Sequence, residues 1–246
     1  MTGSAPGRIS FAQEDLSLAE RMLRVLYAPR SSFEAVVGRE SALDWLAPLL
    51  VVCAVGLLSH QLTIDLITDL ENPAVQERMA RMSDEERDQY TQNLRMLRTH
   101  GWMMVPIGVF TSLAVVSVVL LAVGRSVLKG EVSYRQMLVV KAYASLVLVP
   151  EWIVRTLLVL GSGSAEVHTG LGAFVPAEMA GTFAGRLLIS FNLFDAWQVG
   201  VAGIGLSVTS GASSRRAVAT LLILWTLWLV GSAAIESAAP TFPKPS

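Results

Sequence analysis

The residues of this chain able to do chemistry sit where charge is most expensive. Asp195 lies in Phe191-Asn-Leu-Phe-Asp-Ala-Trp-Gln198, inside an apolar run of membrane-spanning length. A carboxylate at that depth has to face protein or water and find a partner there. The preceding apolar run carries Glu151 and Arg155, four residues apart and so on one helical face. Counting inward from the outer end of each run puts Glu151 and Asp195 at similar depth, with Arg155 nearer the outer surface. Pairing either carboxylate with Arg155 lowers the cost of burying both charges. Asn192, Asp195, Ala196, Val199, Gly200 and Gly203 share one broad helical face, small enough for another helix to approach and polar enough to need a bond from it. Pro150, just before Glu151, removes a backbone donor and frees the Leu146 carbonyl. Two uses fit this cluster of Glu151, Arg155, Asn192 and Asp195. It is either a polar clamp holding helices in register or a site for a proton, a lipid or a partner.

Signatures of catalysis are missing. There is no His-Glu-x-x-His for zinc and no Gly-x-Ser-x-Gly nucleophile elbow. Gly161-Ser-Gly-Ser164 has neither the basic residue nor the strand–helix setting of a phosphate loop and reads as a flexible turn. His60, His100 and His168 all map to the outer side, away from membrane depth, and two histidines without a fixed third ligand make a poor metal site. The single cysteine, Cys53, offers neither a disulfide framework nor a thiol metal site. The expectation is a protein that is not an enzyme, with no cofactor, no metal and no nucleic-acid partner.

The elements that must position the cluster are membrane helices. Hydrophobic residues make up 52% of the 246 and charged ones only 16%, too apolar for a soluble domain of this length. Apolar blocks at about 45–66, 103–123, 138–160, 187–208 and 218–235 each match a bilayer crossing. Links after the second and fourth blocks are short and basic (Arg125, Lys129 and Arg135; Arg215 and Arg216), and the segment before the first carries Arg8, Arg21, Arg24, Arg30 and Arg39. The link 161–185 has no Lys or Arg. By the positive-inside rule the amino terminus is cytoplasmic and, after five spans, the carboxy terminus is outside. The outer segment 71–101, with five arginines, runs against that rule, and the other four segments decide. The inner membrane of a bacterium is the setting this suggests. Lys141, just inside the third span, is placed to snorkel to the cytoplasmic face.

Outside the spans, residues 1–15 read as a disordered tail and 237–246 as an outer carboxy-terminal tail. Within 16–40, Leu16, Leu23 and Leu26 oppose Glu20, Arg21 and Arg24 on a short amphipathic helix that Pro29 stops. Ser31-Ser-Phe-Glu34 has the capping-box form and opens a second helix ending near Gly38. These two helices either lie in the cytoplasmic interface or pack under the bundle. Between the first two spans, Pro73 and Ser83-Asp-Glu-Glu86 mark two helix starts, an outer helical hairpin at about 71–101. The fold class is an all-α integral membrane protein, a five-helix bundle with amino-terminal amphipathic helices, the membrane domain spanning 41–236.

Three pieces in this order carry a family resemblance. Leu26-Tyr-Ala-Pro-Arg-Ser-Ser-Phe33 precedes the first span, with Tyr27, Pro29 and Phe33 as an interfacial entry motif. Gly130-Glu-Val-Ser-Tyr134 is followed by Val140-Lys-Ala-Tyr-Ala-Ser145 and Pro150, and Asn192-Leu-Phe-Asp-Ala-Trp197 leads to Gly203-Ile-Gly-Leu206. From about residue 22 to 235 the chain resembles the Yip family of Ypt/Rab-interacting membrane proteins, in its bacterial branch. That resemblance implies a five-helix membrane domain with a cytoplasmic amino terminus. Eukaryotic relatives bind small GTPases through a longer acidic region and a Tyr-Gly-Pro-type motif; here the place reads Tyr27-Ala-Pro29 in a short basic segment, which argues against GTPase binding. The functional expectation is an organising or accessory subunit of a membrane assembly concerned with trafficking, export or the envelope. Its expected partners are membrane lipids and either another membrane protein or a second copy. The alternative is a small transporter or lipid-handling protein with a polar midplane pocket.

Overall fold

The computed structural model describes residues 16–39, 41–165, 167–176 and 178–238. The tail expected at 1–15 and most of the carboxy-terminal tail lie outside them. Every regular element is a helix: α1 (Leu18–Tyr27), α2 (Pro29–Val36), α3 (Leu43–Thr68), α4 (Pro73–Ala80), α5 (Asp84–Ala122), α6 (Tyr134–Ala144), α7 (Leu148–Ser162), α8 (Phe183–Ser190), α9 (Leu193–Ser210) and α10 (Ser214–Ala238). Four helical stretches are long and apolar enough to cross a membrane: Leu43–Thr68, Asp84–Val127, Tyr134–Ser162 and Ser214–Ser237.

Local chemistry sets most boundaries. Ser17 and Glu20, Ser83 and Glu86, and Ser133 and Gln136 form reciprocal capping boxes at the starts of α1, α5 and α6. Asn72, Thr182 and Asn192 cap α4, α8 and α9 with their side chains. Gly163 and Gly211, in the left-handed conformation, end α7 and α9, where a side chain would be strained. The box expected from Ser31 and Glu34 does not form. α2 begins two residues earlier with Pro29 in its first turn, where its missing donor costs nothing, and Glu34 pairs with Arg30 at 2.8 Å.

Two expected elements differ in kind. Two helices, α4 and the first part of α5, stand where the hairpin was expected, but the second arm and the second apolar stretch are one helix: α5 runs 39 residues, about 58 Å, through Gly101 and Pro106 without a break. The run at 187–208 is not one helix. It breaks at Phe191–Asn192, where the Phe191 carbonyl turns aside to accept from the Leu171 N–H at 3.2 Å. A short bridge joins Gly170 to Asn192 at the same point. α8 and α9 both lie along α10, with the Phe191 ring 5.5 Å from that of Trp225 and Arg186 3.5 Å from Glu236. The Tyr134–Ser162 stretch is interrupted too. A 3-10 turn at Ser145–Val147 separates α6 from α7, as expected where Pro150 withholds a donor.

α6 is the hub, buried without a gap from Val139 to Ser145 and packed against α3, α5 and α9. Close approach depends on missing side chains. A Cβ at Gly56 of α3 would overlap the Trp152 ring, and one at Gly205 of α9 would lie 2.8 Å from Phe33 and Val140. α1 and α2 close one end of the bundle, contributing the fully buried Val25 and Phe33. Their Leu23 and Tyr27 stay exposed on the opposite face.

Candidate functional site

The polar cluster assembles at the two helix interruptions. Glu151, in the first turn of α7, is buried and its Oε1 accepts a short hydrogen bond from the Asn192 amide nitrogen, while the Asn192 oxygen caps the Phe194 N–H at 3.0 Å. One asparagine therefore starts α9 and ties it to α7. The α7 and α9 amino termini converge on this point from opposite directions, and backbone dipoles there favour negative charge. Asp195 and Gln198 follow on α9, one turn apart.

The cation of the cluster is not the one expected. Lys141 of α6 is only 4% exposed and does not snorkel. Its Nζ donates to Gln198 Oε1 at 3.2 Å and its charge faces Asp195. Arg155 makes no hydrogen bond or ion pair among the described residues and is exposed, with Glu151 one turn below it as the charge within reach. Glu151, Asn192, Asp195, Gln198 and Lys141 thus form one seam joining α6, α7 and α9, and Arg155 stands at its rim. Two signals for Lys141 were available: it interrupts an otherwise apolar run, and Gln198 lies one turn from Asp195.

The entry motif divides. Phe33 is fully buried, 6.2 Å from the Tyr143 ring, whereas Tyr27 is 75% exposed and Pro29 serves to start α2. Beneath Phe33 lies a second polar group that the sequence reading did not single out. Arg21 of α1 is 3.2 Å from Asp44 at the start of α3, both buried, and the Ser32 hydroxyl donates to the Arg21 carbonyl at 2.7 Å. The Tyr143 hydroxyl is buried beside them and feels both charges. The signal was spacing: Leu18, Arg21 and Val25 fall on one stripe of α1, which puts a guanidinium on the face turned to the bundle. Outside the membrane the only shifted carboxylates among the described residues are those of the capping boxes. The Ser17 hydroxyl holds Glu20 below its ordinary range, and the Ser83 N–H does the same for Glu86.

No group of three or more metal-ligating side chains occurs among the described residues. Apolar helices of crossing length, packed around a partly buried polar seam, define a polytopic all-α membrane protein. Residues 23–235 match the Yip1 domain model, and the chain belongs to that family. Among curated proteins and among solved structures, no match was found.

Proposed function

We propose that this protein is a non-enzymatic organising or accessory subunit of a membrane assembly, with its hairpin as the docking arm and its amino terminus in the cytoplasm. The hairpin carries the reading. About 18 residues of α5 extend past its apolar part, roughly 27 Å of helix. α4 meets them through side chains, with Arg87 donating to the Met79 carbonyl at 2.8 Å and Arg78 5.6 Å from the Tyr90 ring. The arm is fixed to the bundle: Arg98 meets Asp65 at 2.9 Å, and the Asn72 amide donates to the Leu66 and Gly163 carbonyls at 2.9 and 2.8 Å. Between arm and bundle is a cavity of about 310 Å3, lined in part by Asn72, Arg78, Arg81, Tyr90 and Ser164. A rigid arm charged with both signs, built beyond what spanning a bilayer needs, suits recognition of another protein. The buried polar seam acts here as the clamp that keeps the arm in fixed register with the bundle.

In-cell cross-linking and recovery of the tagged protein in mild detergent, run in parallel on a hairpin deletion and on Asp195→Ala, tests this. A stoichiometric membrane partner that disappears with the hairpin is the expected result. Recovery of the protein alone, or of a partner indifferent to the deletion, rejects the reading.

A transporter or lipid-handling role is the second reading, favoured by the paired interruptions. Helices broken at membrane depth, with their amino termini facing one another across Glu151 and Asn192, are the arrangement that binds solutes at a midplane. A bound lipid or solute lost in Asp195→Ala would select it.

A further inference from the structure

The two halves of the bundle are closed to different degrees. On the side of the amino-terminal helices, α6 and α9 pack together and are tied by Lys141 and Gln198. On the hairpin side the helices separate into two groups. α7 packs on α3, whereas α8 packs on α10 and on the 3-10 turn Leu171–Phe174. The bond from Asn192 to Glu151 ties the two groups together.

The face of α7 that carries Glu151 continues outward through Arg155 and Leu158 at helical spacing. Glu151 on that face is buried, yet Arg155 and Leu158 above it are exposed. The cleft therefore opens within one turn of its floor. Arg155 lies seven residues, about 10 Å, below the end of α7, among the exposed side chains of Ile153, Val154, Leu157 and Leu158. A guanidinium with no hydrogen bond or ion pair among the described residues, set among exposed apolar side chains, needs an anion or water. Across the cleft the Phe191 carbonyl accepts from the Leu171 N–H outside any helix, and such backbone within a bilayer is tolerated only against protein or a wet cavity. Glu151, the carboxylate within reach of Arg155, is already hydrogen-bonded by Asn192, and Asp195 faces Lys141.

We propose that this cleft is a binding site for an anionic phospholipid in the hairpin-side leaflet, the phosphate on Arg155 and the acyl chain along the exposed apolar face of α7. A lipid is the occupant because the cation is framed by side chains that only hydrocarbon would cover. The site is independent of hairpin docking, so either proposal can fail alone.

The experiment uses the full-length protein in nanodiscs of equimolar phosphatidylglycerol and phosphatidylcholine with identical acyl chains, with retained lipid read by native mass spectrometry on release into mild detergent. Wild type should retain phosphatidylglycerol in preference. Arg155→Gln should lower that preference roughly tenfold, the worth of one charge-assisted hydrogen bond, while Arg155→Lys keeps most of it. Leu158→Trp, which fills the cleft wall and leaves the charge, should also abolish it, and carries the test if Arg155→Gln fails to fold. Arg98→Gln, at an exposed arginine paired with Asp65, should change nothing. Equal retention of both lipids by wild type overturns the proposal, as does a preference unaffected by Arg155→Gln and Leu158→Trp. Displacement of the lipid by excess inorganic phosphate would overturn the assignment to a lipid.

Discussion

Two buried cations, Arg21 and Lys141, each depend on one carboxylate. Removing the carboxylate leaves the charge stranded, and the penalty for an unpaired buried charge, about 3–5 kcal/mol, exceeds what the pair itself contributes. Asp44→Ala should therefore lower thermal stability in detergent by that order. The double substitution Arg21→Leu with Asp44→Leu should recover most of the loss, and a double variant no better than Asp44→Ala would show that the pair matters through its geometry instead. Asp195→Leu should impair folding for the same reason, with Lys141 left without a countercharge beside Gln198; unchanged yield and thermal stability would count against the clamp. The entry motif gives an internal contrast. Phe33→Ala opens a cavity against Tyr143 and Gly205 and should cost about 3–5 kcal/mol. Tyr27→Ala, at an exposed ring, should stay within about 0.5 kcal/mol.

At the scale of elements, caps and interruptions decide what the helices do. Glu86 sits below its ordinary range because its carboxylate accepts from the Ser83 N–H and hydroxyl. A depressed carboxyl adds stability above the unfolded-state value of 4.5 and loses it as pH falls through the lower folded value. Carbon-detected NMR should place the Glu86 midpoint below that of an uncapped glutamate, and Ser83→Ala, which removes the hydroxyl but keeps the N–H, should reverse only part of that depression. The starts of α4 and α5 were legible because such signals are local: Pro73 suits a first helical turn, and Ser83 carries its partner Glu86 three residues on. The break at Phe191 was not, because every residue from Leu187 to Leu193 except Ser190 and Asn192 is apolar and reads as uninterrupted helix. What breaks it arrives from far along the chain, the Leu171 N–H and the Glu151 carboxylate. Gly101 misled in the opposite sense. A glycine costs a helix about 1 kcal/mol, too little to divide α5, and its missing side chain admits the ring of His60. Lys141 was visible as a charge, but not its direction, which depends on Gln198 from another crossing.

For the whole molecule, the arrangement of basic segments predicts which face is which. In a Cys53→Ser background, single cysteines at positions 85 and 92 of the hairpin should react with an impermeant thiol reagent added outside intact cells, and one at position 30 only after the membrane is opened. The reverse pattern would invert the topology. Because the arm and the second crossing are one 39-residue helix, the protein also contains a lever. Bilayer thickness biases the tilt of a long apolar helix, and a rotation of about 10° about the membrane surface would sweep the tip of a 27 Å arm through roughly 5 Å. Spin labels on the arm and on α10 in thin and thick nanodiscs should report that sweep as a change in distance. A partner gripping the arm would then be responding, through a single rod, to the local thickness of the bilayer in which the protein sits.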